Sequence, residues 1–250
     1  MPDSVVITDD AAGVRIIRMS RPEKKNALTQ PMYAAMTRAL REAEASAAIR
    51  CIMIAGAPGA FCAGADIAEF LEAAQSGALR PSTVEFLKAL AHSRKPLVAA
   101  VAGIAVGIGV TMLFHCDHVV VSAEATLSTP FLKLALIPEA ASSLLAPMRM
   151  GYARAFSMLV MGRPLSATEA KEAGIVNTIV AAAAVDDAAL KAAREIAALP
   201  VGAVAIARTL LRGRLDEIDR QIDTEVMHFR ERLQSDEARA AFSAFLSRKK

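Results

Sequence analysis

The residue with the most chemical capacity lies where charge is scarcest. Between Leu127 and Met148 the chain carries two charged side chains, Lys133 and Glu139, and Glu139 sits in "LIPEAASSLLAPM" among apolar and small residues. A carboxylate there has two readings. Pro138 followed by an acid suits the first turn of a helix, where proline forfeits no hydrogen bond and negative charge meets the positive end of the dipole. A carboxylate in apolar surroundings is also a general base, because burial lifts its pKa toward the working range. The residue types alone leave both open.

Two glycine-containing turns could supply the complementary electrophile. "FCAGADI", Phe61 to Ile67, follows a strand pattern and precedes a helix. Its small residues let a ligand approach the backbone, whose N–H groups can bind an oxyanion. A tight strand-to-helix turn, with Gly64 serving only packing, accounts for the same pattern. The segment has neither the G-x-G-x-x-G spacing nor the Lys-Ser/Thr of a phosphate loop. "GIAVGIG", Gly103 to Gly109, repeats the arrangement, and two turns each aiming one N–H at a common point make an oxyanion hole. His115 and His118 flank Cys116 and Asp117, which could suggest a metal. Between a buried helix and a strand they read as structural residues, and Cys51, Cys62 and Cys116 show neither ligand spacing nor a paired framework. No metal is expected.

The elements that must hold these groups follow from composition and periodicity. The 250 residues are 54% hydrophobic and 22% charged, ample for a packed core. Net charge is +3 with 4% aromatics and no basic block, which argues against nucleic acid. "SVVITDDAAGVRIIRMS" predicts a hairpin joined by an Asp-Asp-Ala-Ala-Gly turn. Thr29 and Pro31 predict a helix start, with Met32, Met36, Leu40 and Ala43 on its apolar face. "RCIMIAG", "LVAAVAG", "HVVVSA" and "ATLST" read as strands alternating with helices, the α/β signature. Leu97 to Phe114 is uncharged and long enough to raise a membrane span. Its glycines, its bounding Pro96 and its Ala/Gly content favour a strand, a turn and a buried helix instead. Ser166 and Glu169 form a capping box, and Gly174 ends that helix. Beyond Asp186 the pattern is helical, with Ile218, Ile222, Val226, Phe229 and Leu233 as one stripe and Phe242, Phe245 and Leu246 on the last helix. The expected division is a core over 1–195 and a helical region over 196–250. "MPDSVVITDD" moves from acids into a strand without a signal-peptide pattern, so reduced thiols in a cytoplasmic protein are expected.

"RPEKKNAL", "FCAGADIAEF" and "KPLVAAVAGIAVGIGVTMLFHCD" resemble the crotonase superfamily, the enoyl-CoA hydratase and isomerase group. Order and spacing match along nearly the whole chain, including "GRPLSATEAKEAGIVNTIV". The resemblance implies a spiral core of repeated ββα units, C-terminal helices used in trimerisation, and a homotrimer or dimer of trimers. It implies an acyl-CoA thioester as substrate, no prosthetic group, and no nucleic-acid or membrane partner. Oxyanion donors fall on the backbone N–H groups of Ala65 and of Ile108, flanked by Gly107. In a comparable hole each is worth about 3–4 kcal/mol. Contacts to CoA or the acyl group fall near Lys25, Ala27 and Leu28, along Ala63, Gly64, Asp66 and Ile67, and at Gly107, Thr111, Pro130 and Phe131.

The resemblance also marks a departure. Hydratases of the family use two glutamates to position and protonate around a water, and the matching positions here hold Thr111 and Phe131. Neither is a useful base near neutral pH. "STPFLKLALIPEAASSLLAPMRMG" instead resembles the Δ3,Δ2-enoyl-CoA isomerase branch, in which the glutamate of a P-E-x-x-S-S segment, here Glu139, is the base. The expectation is a 3-enoyl-CoA to trans-2-enoyl-CoA isomerase. Feeble hydration, another thioester reaction such as hydrolysis or dehalogenation, and non-catalytic acyl-CoA binding remain alternatives.

Overall fold

The computed structural model describes residues 6–76 and 80–247, less the side chains of 73–76, 245 and 246. Phe245 and Leu246 therefore lie outside the described side chains. The chain opens with an antiparallel hairpin, β1 (Val6–Ala11) and β2 (Val14–Met19). The sequence suggests a five-residue turn, but Asp9 and Asp10 stay in the strand and the turn is Ala12-Gly13 alone, both at positive φ. Two such residues match the twist of the paired strands. Helix α1 (Gln30–Ala45) follows, burying Met32, Met36, Leu40 and Ala43 as its spacing predicts; Thr29 takes the N-cap position without a capping side-chain bond.

Three windings then repeat one pattern. The first is β3 (Cys51–Gly56), β4 (Ala60–Cys62), α2 (Ile67–Ser76) and α3 (Pro81–His92). The second is β5 (Leu97–Val101), β6 (Ile104–Val106), the four-residue α4 (Ile108–Thr111) and a 3-10 turn at Met112–His115. The third is β7 (His118–Ser122) and β8 (Thr126–Ser128), leading through a loop to α5 (Ser142–Met150) and α6 (Tyr152–Leu159). Each winding gives one strand to each of two sheets. Among the described residues, the first sheet has the order β1-β2-β3-β5-β7-β10 and the second β4-β6-β8-β9, where β9 is Leu165–Ser166 and β10 is Thr178–Val180. Strands β3, β5 and β7 pair in parallel, as do β4, β6 and β8. This is the ββα spiral that the resemblance implies. The uncharged stretch from Leu97 to Phe114 forms β5, β6, α4 and part of the 3-10 turn, close to the expected strand, turn and buried helix, and no helix among the described residues is long and apolar enough to cross a membrane.

Between β9 and β10, α7 (Ala167–Glu172) carries the Ser166–Glu169 capping box and stops at Gly174, φ 79°. Four helices complete the chain: α8 (Val185–Ala197), α9 (Val201–Arg212), α10 (Leu215–Leu233) and α11 (Asp236–Ser247). Helix α8 runs across position 195 and packs its buried alanines against Val14, Met53, Val98 and Val120 on one face of the first sheet. Helix α10 buries its predicted stripe against α3 and α5, and Phe242 of α11 is fully buried. The tail thus folds back on its own core, except that α9 leaves Val201, Ile206, Leu210 and Leu211 exposed.

The second sheet is held so tightly that glycine is obligatory at its end. A Cβ on Gly109 would lie 2.7 Å from the Cys62 carbonyl oxygen and 2.9 Å from its Cβ, and one on Gly64 would lie 3.2 Å from the Val106 oxygen. Each turn therefore packs on the neighbouring strand's end. Gly109→Ala is expected to destabilise the fold by about 1–3 kcal/mol through overpacking against unyielding backbone, read as a lowered denaturation midpoint at unchanged m-value. Gly59→Ala meets nothing within 4 Å, and serves as a control for φ strain alone.

Candidate active site

Parallel strands end on the same side of a sheet, and ligands of open α/β sheets collect beyond those carboxyl ends. Beyond β4 lies Ala63–Asp66, beyond β6 Gly107–Gly109, and beyond β8 Thr129–Phe131. The pairing order β4-β6-β8 sets the three segments side by side. Phe131 reaches toward Gly107, where an added Cβ would sit 3.9 Å from the ring, and Pro130 is half-buried beside it.

A fourth segment, Lys25–Leu28, runs along the first. Ala63 N–H donates to Lys25 O (2.9 Å), Leu28 N–H to Gly64 O (2.8 Å), and Asp66 N–H to Leu28 O (2.9 Å). Lys25 and Asn26 are both left-handed, φ 51° and 57°. Asparagine tolerates that region, and its buried amide ties the loop down by accepting from Arg21 N–H (2.8 Å) and donating to Ala60 O (2.7 Å). Arg21 binds Asp66 (2.7 Å) and Ala27 O (3.0 Å), while Asp66 also accepts from Ala68 N–H at the start of α2. Partial burial opposes the Asp66 charge, but the Arg21 and Ala68 hydrogen bonds outweigh it and hold the carboxyl below its ordinary range.

This wiring separates the expected ligand contacts. Lys25 is exposed, and Ala27, Ala63 and Ile67 are half-buried. Leu28 has its side chain in the core and its N–H and C=O both bonded. Asp66 turns its carboxylate inward to Arg21, and buried Gly64 gives its carbonyl to Leu28. These three brace the loop, and Leu28 and Asp66 also line the cleft at Ala65. By contrast, no acceptor among the described residues takes the N–H of Ala65 or of Ile108. Ile108 packs its side chain into the core, leaving its N–H at the open end of α4. A narrow cleft at Ala65 is lined by Leu28, Gln30, Tyr33, Glu69, Phe70 and Thr83.

Glu139 approaches from the other side. Thr111, fully buried, donates its hydroxyl to the Glu139 carboxylate at 2.5 Å. Thr111 thus contacts the acid directly. It lies three residues after Ile108, about one helical turn, so the carboxylate and the free Ile108 N–H share one turn of helix. Glu139 keeps intermediate exposure, yet the protein packed around it pushes its pKa up from 4.5 to about 8; the Thr111 bond opposes the rise and the charge of Glu225 adds to it.

The helix-start reading of Glu139 fails on backbone geometry. Helix α5 begins three residues later, at Ser142, because Ala140 and Ala141 are both left-handed, φ 61° and 56°. Each such residue costs about 1–2 kcal/mol without glycine. The carboxylate that serves the start of α5 comes from α10 instead. Glu225, 3% exposed, accepts from Ala141 N–H (2.6 Å), Ser143 N–H (3.0 Å) and the Ser143 hydroxyl. Burial raises it to about 7 against those bonds. The sequence held a signal for it: Glu225 lies three residues after Ile222, on the apolar stripe of its helix. His115 was read as structural, and its ring bonds Ala140 O at 2.8 Å. Burial lowers it to about 3, so it is neutral. His118 faces Thr178 instead, and among the described residues no three His, Cys, Asp or Glu are grouped to hold a metal.

Comparison with known proteins agrees with this geometry. The family model described as enoyl-CoA hydratase/isomerase matches residues 9–250. The chain is 32% identical to the 1,2-epoxyphenylacetyl-CoA isomerase of Escherichia coli (strain K12), across 95% of this chain and 93% of that protein. It is 33% identical to enoyl-CoA delta isomerase 2 of Rattus norvegicus, covering 98% of this chain and 64% of that longer protein. It is 28% identical to a probable enoyl-CoA hydratase of Rhizobium meliloti (strain 1021), across 100% and 98%. Among solved structures, Pseudomonas aeruginosa OdaA superposes with a TM-score of 0.93 at 39% identity, covering 98% of this chain and 99% of that one. The enoyl-CoA hydratase/isomerase from Pseudoalteromonas atlantica T6c does so at 0.92 and 34%, covering 98% of each. A spiral of paired strands, two free N–H groups at its strand ends and a family match over almost the entire length lead to one conclusion: the chain belongs to the enoyl-CoA hydratase/isomerase family, whose members act on CoA thioesters.

Proposed function

We propose that this enzyme moves a double bond from a 3-enoyl-CoA to the trans-2-enoyl-CoA with Glu139 as its single base. The observation that carries the reading is the set of residues around the site: one raised carboxylate, with Thr111 bonded to it and Phe131 at the remaining position. In the proposed sequence, ionised Glu139 takes the proton from the α carbon. The electron pair flows into the thioester carbonyl, giving a dienolate whose oxygen accepts from Ala65 and Ile108 N–H. The protonated Glu139 then returns the proton to the γ carbon, and the double bond comes to rest next to the carbonyl. Atoms balance without water. The relatives' names include both isomerases and hydratases, so the choice rests on the acids: hydration asks for a second one to handle water.

Three further expectations belong to this reading. Lys25, Ala27 and the 63–67 loop would border the CoA portion. Met148, Tyr152 and Phe156 on α5 and α6, and Ile206, Leu210 and Leu211 on α9, are exposed apolar side chains, which supports a homotrimer or dimer of trimers. A cytoplasmic setting fits the three buried free cysteines.

Turnover of paired 2-enoyl and 3-enoyl substrates tests the function. Wild type is expected to isomerise 3-enoyl-CoA with no mass gain, and Glu139→Gln to lose on the order of 10²–10⁴-fold in kcat. Equal rates would remove Glu139 from the mechanism; an added 18 Da, roughly one water on this mechanism's stoichiometry, would make the enzyme a hydratase.

The base must be ionised, so kcat/KM is expected to rise with pH through an apparent pKa near the value of about 8 for Glu139, as a pH–rate profile would show. Stability runs the other way. Glu139 and Glu225 titrate higher folded (about 8 and about 7) than at their ordinary 4.5, so the folded state holds extra protons and loses stability as pH rises through that range. His115 has the opposite sign and acts below its ordinary 6.5. Between pH 6.5 and 8 the carboxylates therefore set the slope. The melting temperature should fall across that interval, and fall less in Glu139→Gln.

A further inference from the structure

The turn that aims Glu139 is not held by its own sequence. Ala140 and Ala141 are left-handed without the glycine or asparagine that favours that conformation, and Ala135, four residues before Glu139, is left-handed as well. Strained backbone of this kind persists only where its surroundings over-determine it. Here the determining contacts come from the C-terminal helices. Glu225 takes the N–H groups of Ala141 and Ser143 together with the Ser143 hydroxyl, Gln221 donates to that hydroxyl at 2.8 Å, and Arg232 donates to Ala135 O at 3.2 Å. Gln221, Glu225 and Arg232 are spaced four and seven apart, one face of α10. From the other side, His115 Nε2 meets Ala140 O at 2.8 Å, and the Arg212 guanidinium of α9 lies 3.5 Å from Nδ1. Since arginine only donates, Nδ1 accepts and Nε2 carries the proton given to Ala140 O. The Ala140–Ala141 peptide group is thus gripped through its N–H by α10 and through its C=O by His115, which α9 holds in turn.

We propose that Glu225 is a positioning residue for Glu139: by binding the Ala141 and Ser143 N–H groups it fixes the turn that points the base at the substrate. This rests on the reading of Glu139 as the base and adds a role for the C-terminal helices beyond subunit contact. Glu225 also acts by charge. A second carboxylate close to Glu139 disfavours its ionised form, which makes the base more avid for a proton. The other charged groups of α10 and its neighbours are engaged elsewhere. Lys88 of α3 pairs with Asp223 (2.7 Å), His92 with Asp219 (2.8 Å), and Arg232 with Ala135 O and Glu237 of α11. The groups facing Glu225 are the α5 N-terminus, Ser143, Gln221 and Glu139.

Two substitutions separate aim from charge. Glu225→Gln removes the charge and leaves one oxygen for two N–H donors; Glu225→Asp keeps the charge and withdraws it by one methylene. Both are expected to lower kcat on the order of tenfold to a hundredfold, as a small misplacement of a base does, with KM for the 3-enoyl-CoA within roughly threefold because the substrate's binding groups are untouched. The 13C carboxyl resonance of Glu139, assigned by its loss in Glu139→Gln, is followed against pH in the free enzyme. Its midpoint should move down in Glu225→Gln, with the acid limb of the pH–rate profile, and stay near wild type in Glu225→Asp. Wild-type kcat in folded Glu225→Asp would overturn the positioning role, and an unmoved Glu139 midpoint in Glu225→Gln would overturn the coupling. Should Glu225→Gln fail to fold, the aspartate variant decides the positioning role alone. The titration is read without substrate, so it stands even if Glu139→Gln shows the base to lie elsewhere.

Discussion

A carboxylate packed into the protein with a hydroxyl as its hydrogen-bond partner is the constraint around which the rest of this site is arranged. Unpaired buried charge is costly, and a group in that position answers by raising its pKa. The cost cannot be removed by adding a cation, because an ion pair would lower the pKa and spend the basicity. The fold therefore supplies a neutral partner, Thr111, on the same helical turn that opens with the free Ile108 N–H. One short helix fixes both the Glu139 carboxylate and the Ile108 N–H, the proposed base and one proposed oxyanion donor. The Ala65 turn is fixed to them by sheet geometry: β4 and β6 pair in parallel, and the Gly109–Cys62 contact leaves no room for the two turns to drift apart.

The division between core and tail looks different in this light. The tail's helices could be regarded as an appendage with an apolar face for other subunits, and α9 does expose such a face. Yet α10 takes up the N–H groups at the start of α5, and α9 reaches His115 through Arg212. Removing these helices would leave a buried helix start with unbonded donors and a left-handed alanine pair with nothing to hold it. The site belongs to the entire chain.

What could be read from the sequence follows from the length of the signal. The hairpin, β3, β5, β7 and α10 all carry five or more residues of clear pattern and appear where expected. Strands β4, β6 and β9 have three, three and two residues, too short for alternation to show, so "GAPGAFCAGADIAEF" reads as one loop although β4 lies inside it. The turn at Ala140-Ala141 was illegible for a different reason. Alanine is the best helix former and has no preference for the left-handed region, so the local signal after Pro138 is a helix start and tertiary bonds override it. Glu225 was legible in principle, as an acid on an apolar stripe. Its partner could not be: nothing local links it to a turn 84 residues away.

The raised carboxylate also bears on which reaction the site suits. A base that removes a proton and returns the same proton to another carbon must not hold it too strongly or too weakly. An ordinary glutamate at 4.5 would be a poor acceptor from carbon, and a far stronger base would be slow to give the proton back. A value of about 8 lies between. Hydration would make a different demand, since water would have to be admitted, oriented and deprotonated while a second group served the carbon. On the proposed reading Phe131 stands where that group would be, so the site offers one acid to carry one proton rather than two to handle water.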